Sequence, residues 1–400
     1  MTRKSAIAGA RIFDGERFHD QSALVFSDGK IEAIVPEASL GEARDVERLN
    51  GGVLAPGFID AQVNGGGGRM LNDQPTPETM FTIAKGHRKY GTTSLLPTLI
   101  TDTTPVRDRA IEAAIEAVKA DKGVAGLHLE GPHLAPARKG AHLAELMRPV
   151  NDADIALYIH TAKQIGTLLV TLAAEQVTPD QVRRLSDGGV VVSIGHSDTT
   201  ADEAFKRFDA GARSVTHLFN AMSQIGHRAP GLAGAALDHP DIWCGIVADG
   251  HHVDPMALRL ALRAKRGDAH LFFVTDAMAL VGSDSESFEI NGRAVRRVPG
   301  GICSKLVLAD GTIAGSDLDM ASAVRFGVAE LELTLAEALR MASHYPARYL
   351  HLNDRGTFRP GMRMDAVHLD DGLFAKATWL SGENRFRGKV DDGNYGSLFR

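Results

Sequence analysis

The sequence predicts an α/β protein in which a TIM-type (β/α)8 barrel is joined to a small β-sandwich domain formed by both termini. Two observations predict this fold. Eight short apolar runs alternate with helical patterns between residues 57 and 276, and turn-separated strand patterns occupy both ends of the chain. An open doubly wound sheet is the competing fold, but the glycines from Gly65 to Gly68 do not form the G-x-G-x-x-G pattern and lack a ribose-binding acid downstream.

The N-terminal residues show a hairpin pattern, because residues 22–26 and 30–35 are strand-like and Ser27-Asp28-Gly29 between them favours a turn. At the other end, residues 365–370 and 377–380 flank Asp371-Gly372 in the same way. Neither end can bury much apolar surface alone. We therefore expect residues 1–54 and 351–400 to pack together as one small β domain, interrupted by a β/α barrel domain over residues 55–350.

The eight apolar runs of the central segment are the predicted barrel strands. They are residues 57–62, 92–97, 126–130, 168–172, 190–195, 214–217, 243–248 and 272–276. Helical patterns lie between them. Thr200 to Glu203 reads as a capping box that opens a helix, and residues 254–266 form a helical pattern with Pro255 in the first turn.

Composition limits the compartment and the partners. The chain has 44 basic and 50 acidic side chains, a net charge of -6 and no basic block, so a nucleic-acid partner is not expected. Cys244 and Cys303 are the only cysteines and are far apart, which favours a reducing compartment. The N-terminus has no signal-length apolar stretch and no later run could span a bilayer. We expect a cytoplasmic protein without a membrane partner.

Four polar residues close four of the apolar runs at their C-terminal ends: Glu130, His196, His217 and Asp276. In a β/α barrel these strand ends share one mouth. Two imidazoles and a carboxylate are sufficient ligands for Zn²⁺ or a similar divalent ion, with one coordination position left for water. Asp276 could then take a proton from that water and pass it to a leaving nitrogen.

Each of the four also has an ordinary structural explanation. His217 could cap a helix, and His196 could be a turn histidine with a satisfied hydrogen bond. Glu130 is harder to explain in this way, because a carboxylate that closes a buried strand is costly unless something pairs with it. Four such residues at four strand ends favour the shared site.

Further histidines and one arginine are weaker candidates. His142 follows a Gly-containing charged stretch typical of a loop over the barrel mouth, where it could orient a substrate carbonyl. His251 and His252 form an adjacent pair at the seventh strand end, and periodicity does not decide which faces the site. Arg228 could bind an anion or simply lie on a surface loop. His128 shares a strand face with Glu130, which favours a structural role.

Several of these segments also resemble the motifs of a known enzyme family. The matching motifs are Pro56-Gly57-Phe58-Ile59-Asp60, Leu127-His128-Leu129-Glu130-Gly131-Pro132, Ile194-Gly195-His196-Ser197, Thr216-His217-Leu218-Phe219-Asn220-Ala221-Met222, Val247-Ala248-Asp249-Gly250-His251-His252-Val253, Val274-Thr275-Asp276-Ala277-Met278 and Thr312-Ile313-Ala314-Gly315-Ser316. With these motifs the chain resembles the N-acetylglucosamine-6-phosphate deacetylases of the amidohydrolase superfamily over nearly its whole length.

The resemblance implies roles for particular residues. Glu130, His196 and His217 would bind the metal, Asp276 would be the general base and then the acid, and His142 would polarise the acetamide carbonyl. The residues implied in binding the sugar phosphate are Ala141, Asn220, Ala221, Arg228, His252, Ile313, Ala314 and Gly315. In homodimeric members the arginine comes from the neighbouring subunit, which implies a homodimer here.

One departure from the superfamily pattern concerns the number of metal ions. Amidohydrolases generally carry His-x-His after the first barrel strand, and this chain has Gln62-Val63-Asn64. Neutral amides are poor metal ligands, so we expect one divalent ion per subunit, with zinc first and iron, cobalt or manganese as alternatives. We expect Gln62 and Asn64 to bond to one another or to the vacated second site.

The implied reaction is hydrolysis of the acetamide of N-acetyl-D-glucosamine 6-phosphate to D-glucosamine 6-phosphate and acetate, in the catabolism or recycling of amino sugars. Three alternatives remain from the sequence. They are the same chemistry on N-acetylgalactosamine 6-phosphate, a different amidohydrolase acting on a cyclic amide, and a barrel without catalysis that senses sugar phosphates. Loss of the metal ligands would mark the third, and the ligands are present.

Overall fold

A computed structural model describes residues 4–40, 45–290 and 292–388. Within these ranges, seven strands precede the barrel: β1 (Ser5–Ala8), β2 (Arg11–Phe13), β3 (Phe18–His19), β4 (Ser22–Ser27), β5 (Lys30–Pro36), β6 (Asp45–Arg48) and β7 (Val53–Pro56). The expected first hairpin is β4–β5, where Asp28 and Gly29 adopt positive φ values of 49° and 71°. A glycine at the second of these positions suits such a turn.

The barrel strands run parallel in one sheet whose spatial order follows the chain. They are β8 (Phe58–Val63), β11 (Thr92–Ile100), β12 (Leu127–Glu130), β13 (Leu168–Leu172), β14 (Val191–Ile194), β15 (Ser214–Val215), β16 (Trp243–Val247) and β17 (Leu271–Val274). Two short strands, β9 (Gly65–Gly66) and β10 (Arg69–Met70), follow the first. The last strand returns to the first, since the Asp276 amide donates to the Gln62 carbonyl at 2.9 Å. The predicted barrel is confirmed.

Helices connect the strands and cover the barrel: α1 (Pro77–Arg88), α2 (Thr104–Ala120), α3 (Asp152–Ile165), α4 (Pro179–Asp187), α5 (Ala201–Asp209), α6 (Gly231–Asp238), α7 (Pro255–Ala264), α8 (Met320–Ala329), α9 (Leu335–Ala342) and α10 (His344–Tyr349). The local sequence sets several starts. In α4 and α7 a proline follows directly on a capping Thr178 or Asp254 side chain, which accepts a backbone N–H. Thr200 caps α5 as predicted.

The two termini form the expected β domain. Three C-terminal strands, β22 (Ala366–Leu369), β23 (Ala375–Leu380) and β24 (Glu383–Arg387), pair through β7 with the N-terminal β2 and β3 in a six-stranded sheet. A four-stranded sheet of β5, β4, β1 and β6 packs against it, and Ile7 and Leu24 meet Leu54 and Trp379 in the shared core. Residues 389–400, which include most of the glycine-rich C-terminal tail, lie outside the described residues.

One further sheet, in which all strands are antiparallel, was not predicted from the sequence. It follows the last barrel strand and consists of β18 (Ser287–Ile290), β19 (Arg293–Val298), β20 (Lys305–Leu308) and β21 (Ile313–Ser316). We call this four-stranded unit the mouth sheet. Ile290, Leu306 and Leu308 from it pack against Ile100 and Met278 at the top of the barrel. Within the described ranges, no helix is long and apolar enough to cross a membrane.

Candidate active site

The four strand-end residues meet at the C-terminal mouth of the barrel, as predicted. Glu130 is the last residue of β12, whereas His196, His217 and Asp276 each lie two residues beyond their strands. The last three adopt the left-handed backbone region, with φ values of 46°, 31° and 51°. Residues other than glycine rarely adopt such values, and the cost is typical of sites where side chains are held in a fixed arrangement.

Three of these side chains converge on one point. The Glu130 Oε1 atom lies 3.0 Å from His217 Nε2 and 3.3 Å from His196 Nε2, and the two Nε2 atoms are 3.1 Å apart. All three residues are buried. His196 Nδ1 donates to the Arg138 carbonyl at 2.8 Å, so the neutral ring keeps a bare lone pair on Nε2. A carboxylate and two imidazoles with converging nitrogens fit a divalent cation.

The short distances within this cluster shift the pKa values of Glu130 and His217. Burial alone would raise the pKa of Glu130, but its close contacts with His196 and His217 hold that pKa well below its usual range. Burial lowers the pKa of His217, and the Glu130 contact more than offsets it, so the pKa of His217 is raised. The Glu130 carboxylate is therefore ionised and available to a cation.

His142 lies close enough to be considered as an alternative ligand. Donor atoms of Glu130, His142 and His196 lie within 4.8 Å of one another. However, His142 Nδ1 accepts the backbone N–H of Thr101 at 3.2 Å, so the proton of its neutral ring is on Nε2. Burial foremost, and the nearby His196, lower the pKa of His142 to about 3. A neutral ring with Nε2–H facing the cluster is a hydrogen-bond donor, and His217 makes the tighter contacts with Glu130.

Asp276 stands beside the cluster with a raised pKa, caused first by burial and then by the charge of Glu130. Its Oδ1 atom accepts N–H bonds from Asn64 Nδ2 at 2.7 Å and from Gln62 Nε2 at 3.1 Å. Gln62 Nε2 also donates to Glu130 Oε1 at 3.1 Å. The two amides thus bond to the carboxylates of the site and not to one another, which corrects one of the two expectations for them.

A cavity of about 330 Å³ opens above these residues, a size suited to a small-molecule ligand. The cavity is lined by His142 and by every candidate substrate-binding residue except Arg228. These residues are Ala141, Asn220, Ala221, His252, Ile313, Ala314 and Gly315. Asn220 Nδ2 is buried and has no partner in the described part of the chain, which leaves a donor for a ligand.

The structure decides between the adjacent histidines. His252 lines the cavity and contacts Asp249 Oδ2 through Nδ1 at 2.5 Å, whereas His251 Nε2 lies 3.2 Å from the Cys303 carbonyl. Burial lowers the pKa of His252, but the bond to Asp249 outweighs it and raises that pKa above the usual value. His252 is thereby favoured in its cationic form, which suits an anion.

One candidate substrate-binding residue, Arg228, does not reach the cavity of its own chain, and His128, for which a structural role was expected, does not line it either. Arg228 is exposed. His128 is buried in the barrel interior, between Thr98 and Thr171, and its pKa is lowered to about 4 by burial foremost. Its structural assignment agrees with these contacts.

Sequence reasoning missed several residues of the cavity wall: Ile100, Gly140, Met278, Arg293, Leu308 and Thr312. Arg293, Leu308 and Thr312 belong to the mouth sheet and its turns. One signal for this sheet was present, because Asn291-Gly292 between alternating residues is a strong hairpin pattern. Arg293 is the only Arg or Lys that lines the cavity among the described residues.

A larger cavity lies at the opposite end of the barrel. Its volume is about 550 Å³, and it is lined by residues such as Val190, Arg213, Asp241 and His351. None of the candidate site residues lies in it. Size alone would select the wrong end, because the converging ligands and strained backbones are at the other mouth.

Comparisons with known proteins agree with this geometry. Residues 53–394 match the model of the amidohydrolase family. The chain is 40% identical over 381 residues to the N-acetylgalactosamine-6-phosphate deacetylase of Shewanella sp. (strain ANA-3), covering 94% of each protein. It is 36% identical over 337 residues to the N-acetylglucosamine-6-phosphate deacetylase of Haemophilus influenzae, covering 83% of this chain and 86% of the relative.

A solved structure is similar throughout. The N-acetylglucosamine-6-phosphate deacetylase of Pasteurella multocida superposes with a TM-score of 0.90 at 35% identity, covering 95% of this chain and 99% of the other. The similarity therefore includes the barrel, the terminal β domain and the strand ends that carry the site.

Proposed function

The chain belongs to the amidohydrolase family, and on this premise we propose that it hydrolyses the acetamide of N-acetyl-D-glucosamine 6-phosphate to D-glucosamine 6-phosphate and acetate. The observation that carries the proposal is the convergence of Glu130, His196 and His217 beside Asp276 at one barrel mouth. Relatives named as deacetylases of amino-sugar 6-phosphates support the substrate class.

The metal ligands in this proposal are Glu130, His196 and His217, which hold one divalent ion per subunit, with zinc as the expected metal and iron, cobalt or manganese as alternatives. Such an ion supplies Lewis-acid chemistry, because it acidifies a water and polarises a carbonyl. His142, with its proton on Nε2, donates to the acetyl oxygen and stabilises the charge that develops there.

Asp276 is the proposed general base and then the general acid. It takes a proton from the attacking water and later gives it to the departing amine nitrogen. Its raised pKa, caused by burial and by Glu130, suits this exchange because a carboxyl with an ordinary pKa holds a proton poorly near neutral pH.

The phosphate is assigned to the side of the cavity that carries Asn220, Ala221 and His252. The unpartnered Nδ2 of Asn220 and the favoured cationic form of His252 support this assignment. The other proposed substrate-binding residues that line the cavity are Ala141, Ile313, Ala314 and Gly315. Arg228 of a second subunit completes the anion site, so the enzyme is a homodimer in this proposal.

The galactosamine epimer is the second candidate, since relatives at 40% and 34% identity are named N-acetylgalactosamine-6-phosphate deacetylases. The two sugars differ in the orientation of one hydroxyl, and the acetamide and the phosphate are common to both. One active site could therefore perform the same reaction on either sugar. The cytoplasm is the proposed compartment, and both cysteines are free thiols, which agrees with a reducing environment.

Acetate release tests the proposal. Metal-reconstituted protein is offered N-acetylglucosamine 6-phosphate, the galactosamine 6-phosphate epimer and unphosphorylated N-acetylglucosamine, each with and without chelator. We expect chelator-sensitive turnover of the phosphorylated sugars only, with kcat/KM ranking the two epimers. Turnover of neither phosphorylated sugar by protein with one bound metal per chain would refute the proposed substrate.

A further inference from the structure

The end of the first barrel strand carries two buried amides that the proposed mechanism does not use. Gln62 and Asn64 are two residues apart, so their side chains lie on the same side of the strand, and both are at most 2% exposed. Gln62 Nε2 donates to Glu130 Oε1 and to Asp276 Oδ1, each at 3.1 Å. Asn64 Nδ2 donates to Asp276 Oδ1 at 2.7 Å and to the Asp276 carbonyl at 3.3 Å.

The chemistry of the neighbours fixes which end of each amide faces the site. A carboxylate oxygen and a backbone carbonyl can only accept hydrogen bonds, so the NH₂ end must face them. The opposite orientation would place the amide oxygen of Asn64 against two acceptors. Both side chains therefore act as hydrogen-bond donors to the carboxylates of the active site.

The backbone of the same strand also holds Asp276. The Asp276 amide donates to the Gln62 carbonyl at 2.9 Å, so residue 276 is held at its backbone nitrogen, its backbone oxygen and its Oδ1 atom. Asp276 has a φ of 51°, in the left-handed region that residues other than glycine uncommonly adopt. These contacts from residues 62 and 64 stabilise that conformation and thus the direction of the carboxylate.

The two oxygens of the Asp276 carboxylate are consequently not equivalent. Oδ1 accepts two N–H bonds, which occupy both of its in-plane lone pairs. Oδ2 makes no direct hydrogen bond with the residues that the structure describes, and Asp276 lines the cavity where the substrate would lie. The oxygen left for a reacting proton is Oδ2.

We propose that Gln62 and Asn64 are positioning residues that commit Oδ1 of Asp276 to two amide donors, so that Oδ2 alone transfers the proton in the deacetylation. This inference rests on the proposed function. As a water O–H bond breaks and the water oxygen bonds to the acetyl carbon, Oδ2 takes the released proton. When the C–N bond breaks, the same proton passes to the departing nitrogen, and the carboxylate regains its charge.

The simpler explanation is that both amides fill space where other members of the superfamily place a His-x-His pair. A filler can be replaced by an apolar side chain of similar size, whereas a donor cannot. The variants Asn64→Leu and Gln62→Met test this difference. Thr92→Val is the matched control, because the buried Thr92 hydroxyl has no partner in the described ranges and lies at the start of β11.

We expect Asn64→Leu to lower kcat on the order of 10- to 100-fold while KM changes little, since the loss concerns proton transfer and not binding. The Asn64 side chain donates its hydrogen bonds to Asp276 and to none of the three proposed metal ligands. The affinity for Co²⁺ and the visible spectrum of the Co²⁺ protein should therefore stay as in the wild type. Gln62 also bonds to Glu130, so Gln62→Met should change both kcat and the Co²⁺ spectrum. Equal kcat values for these variants and Thr92→Val would overturn the proposal.

Asn64→Asp is a second variant that keeps the size of the side chain and replaces its donor. The introduced carboxyl can donate only when protonated, so the ratio of variant to wild-type kcat should rise as the pH is lowered. A ratio independent of pH would contradict the donor role. If the wild type deacetylates neither sugar, the proposed function fails, whereas a Co²⁺ spectrum altered by Gln62→Met and not by Asn64→Leu would still show that Gln62 bonds to Glu130 and that Asn64 does not act on the metal ligands.

Discussion

At the residue scale, the proposed active site depends on how the backbone and neighbouring groups hold each side chain. Asp276, His196 and His217 adopt left-handed backbone conformations two residues beyond their strands. His142 is held in one tautomer by the Thr101 amide. These local constraints fix directions before any ligand arrives, which is the arrangement expected of a preorganised site.

Replacing Asp276 by asparagine should remove proton transfer and keep the shape. We expect kcat to fall by about 10²- to 10⁴-fold, with one metal ion per chain still bound. Steady-state kinetics and metal analysis on the same preparation measure both. A folded, metal-loaded variant with nearly normal turnover would exclude Asp276 as the general base.

Asp60 gives a prediction for pH. Burial foremost raises its pKa to about 7, only partly offset by hydrogen bonds from Thr275 and Gln62. A raised carboxyl pKa means that the folded state favours the protonated form. The contribution of Asp60 to the free energy of unfolding is therefore fully present below about pH 4. It decreases by about 4 kcal/mol as the pH rises to about 7.

Asp60→Asn is neutral over this whole range and has nearly the same shape. The free energy of unfolding of the wild type minus that of the variant should therefore decrease between pH 4 and pH 7 and then level off. Urea denaturation of both proteins in chelator, at several pH values, measures it. Parallel stability curves would show that Asp60 does not titrate in this range.

At the element scale, the mouth sheet supplies part of the wall of the candidate active-site cavity. Its strand Ile313–Ser316 reaches the cavity at Gly315, whose φ is 83°. A Cβ atom at Gly315 would lie 2.3 Å from Met278 Cε and 2.5 Å from Met278 Cγ, and Met278 also lines the cavity. The absence of a side chain at position 315 thus sets the position of a neighbouring wall residue.

Gly315→Ala should push Met278 into the cavity and raise KM for the sugar phosphate about tenfold. Gly311→Ala is the matched control, because Gly311 has a similar φ of 85° and a Cβ there meets nothing within 4 Å. Both variants introduce backbone strain, and only the first narrows the site. Equal KM values for the two variants would count against this role of Gly315.

Arg293 leads to another prediction for the same sheet. It starts β19, lines the cavity and brings a permanent positive charge to a site proposed for a phosphate ester. Arg293→Ala should raise KM for the phosphorylated sugar about tenfold, and the difference from wild type should shrink at high salt. Arg296→Ala is the control, because Arg296 is an exposed arginine of the same strand that does not line the cavity. A KM unchanged by Arg293→Ala would remove Arg293 from the anion site.

At the scale of the whole molecule, the barrel and the terminal β domain form the framework, and a second subunit completes the proposed anion site. Arg228 is exposed on its own chain. If it acts on the neighbouring chain, mixtures of two inactive variants should regain activity. Each proposed site combines Asp276 of one chain with Arg228 of the other. A heterodimer of an Arg228→Ala subunit and an Asp276→Asn subunit would therefore have one intact site.

Random exchange predicts recovery of roughly a quarter of wild-type activity. Light scattering should report a dimer, and each variant alone should remain nearly inactive. A monomer in solution, or a mixture no more active than its components, would exclude the shared site.

The sequence by itself determined the barrel, the pairing of the two termini and the four strand-end residues. Strand and helix periodicity and the position of polar residues at strand ends are local patterns, and the barrel rule converts them into one mouth. The match was close: the run predicted at residues 168–172 is the strand Leu168–Leu172. The mouth sheet was not predicted, although its hairpin signal was present in Asn291-Gly292.

Only the tertiary structure decided which atoms meet. It selected His252 over His251, brought Arg293 to the cavity, placed the proton of His142 on Nε2 and turned the amides of Gln62 and Asn64 onto Asp276. Residues 64 and 276 are far apart in the chain, and their contact exists because the last strand of the barrel closes against the first. Hydrogen-bond direction depends on distances of a few ångströms between such strands, which no local sequence pattern encodes.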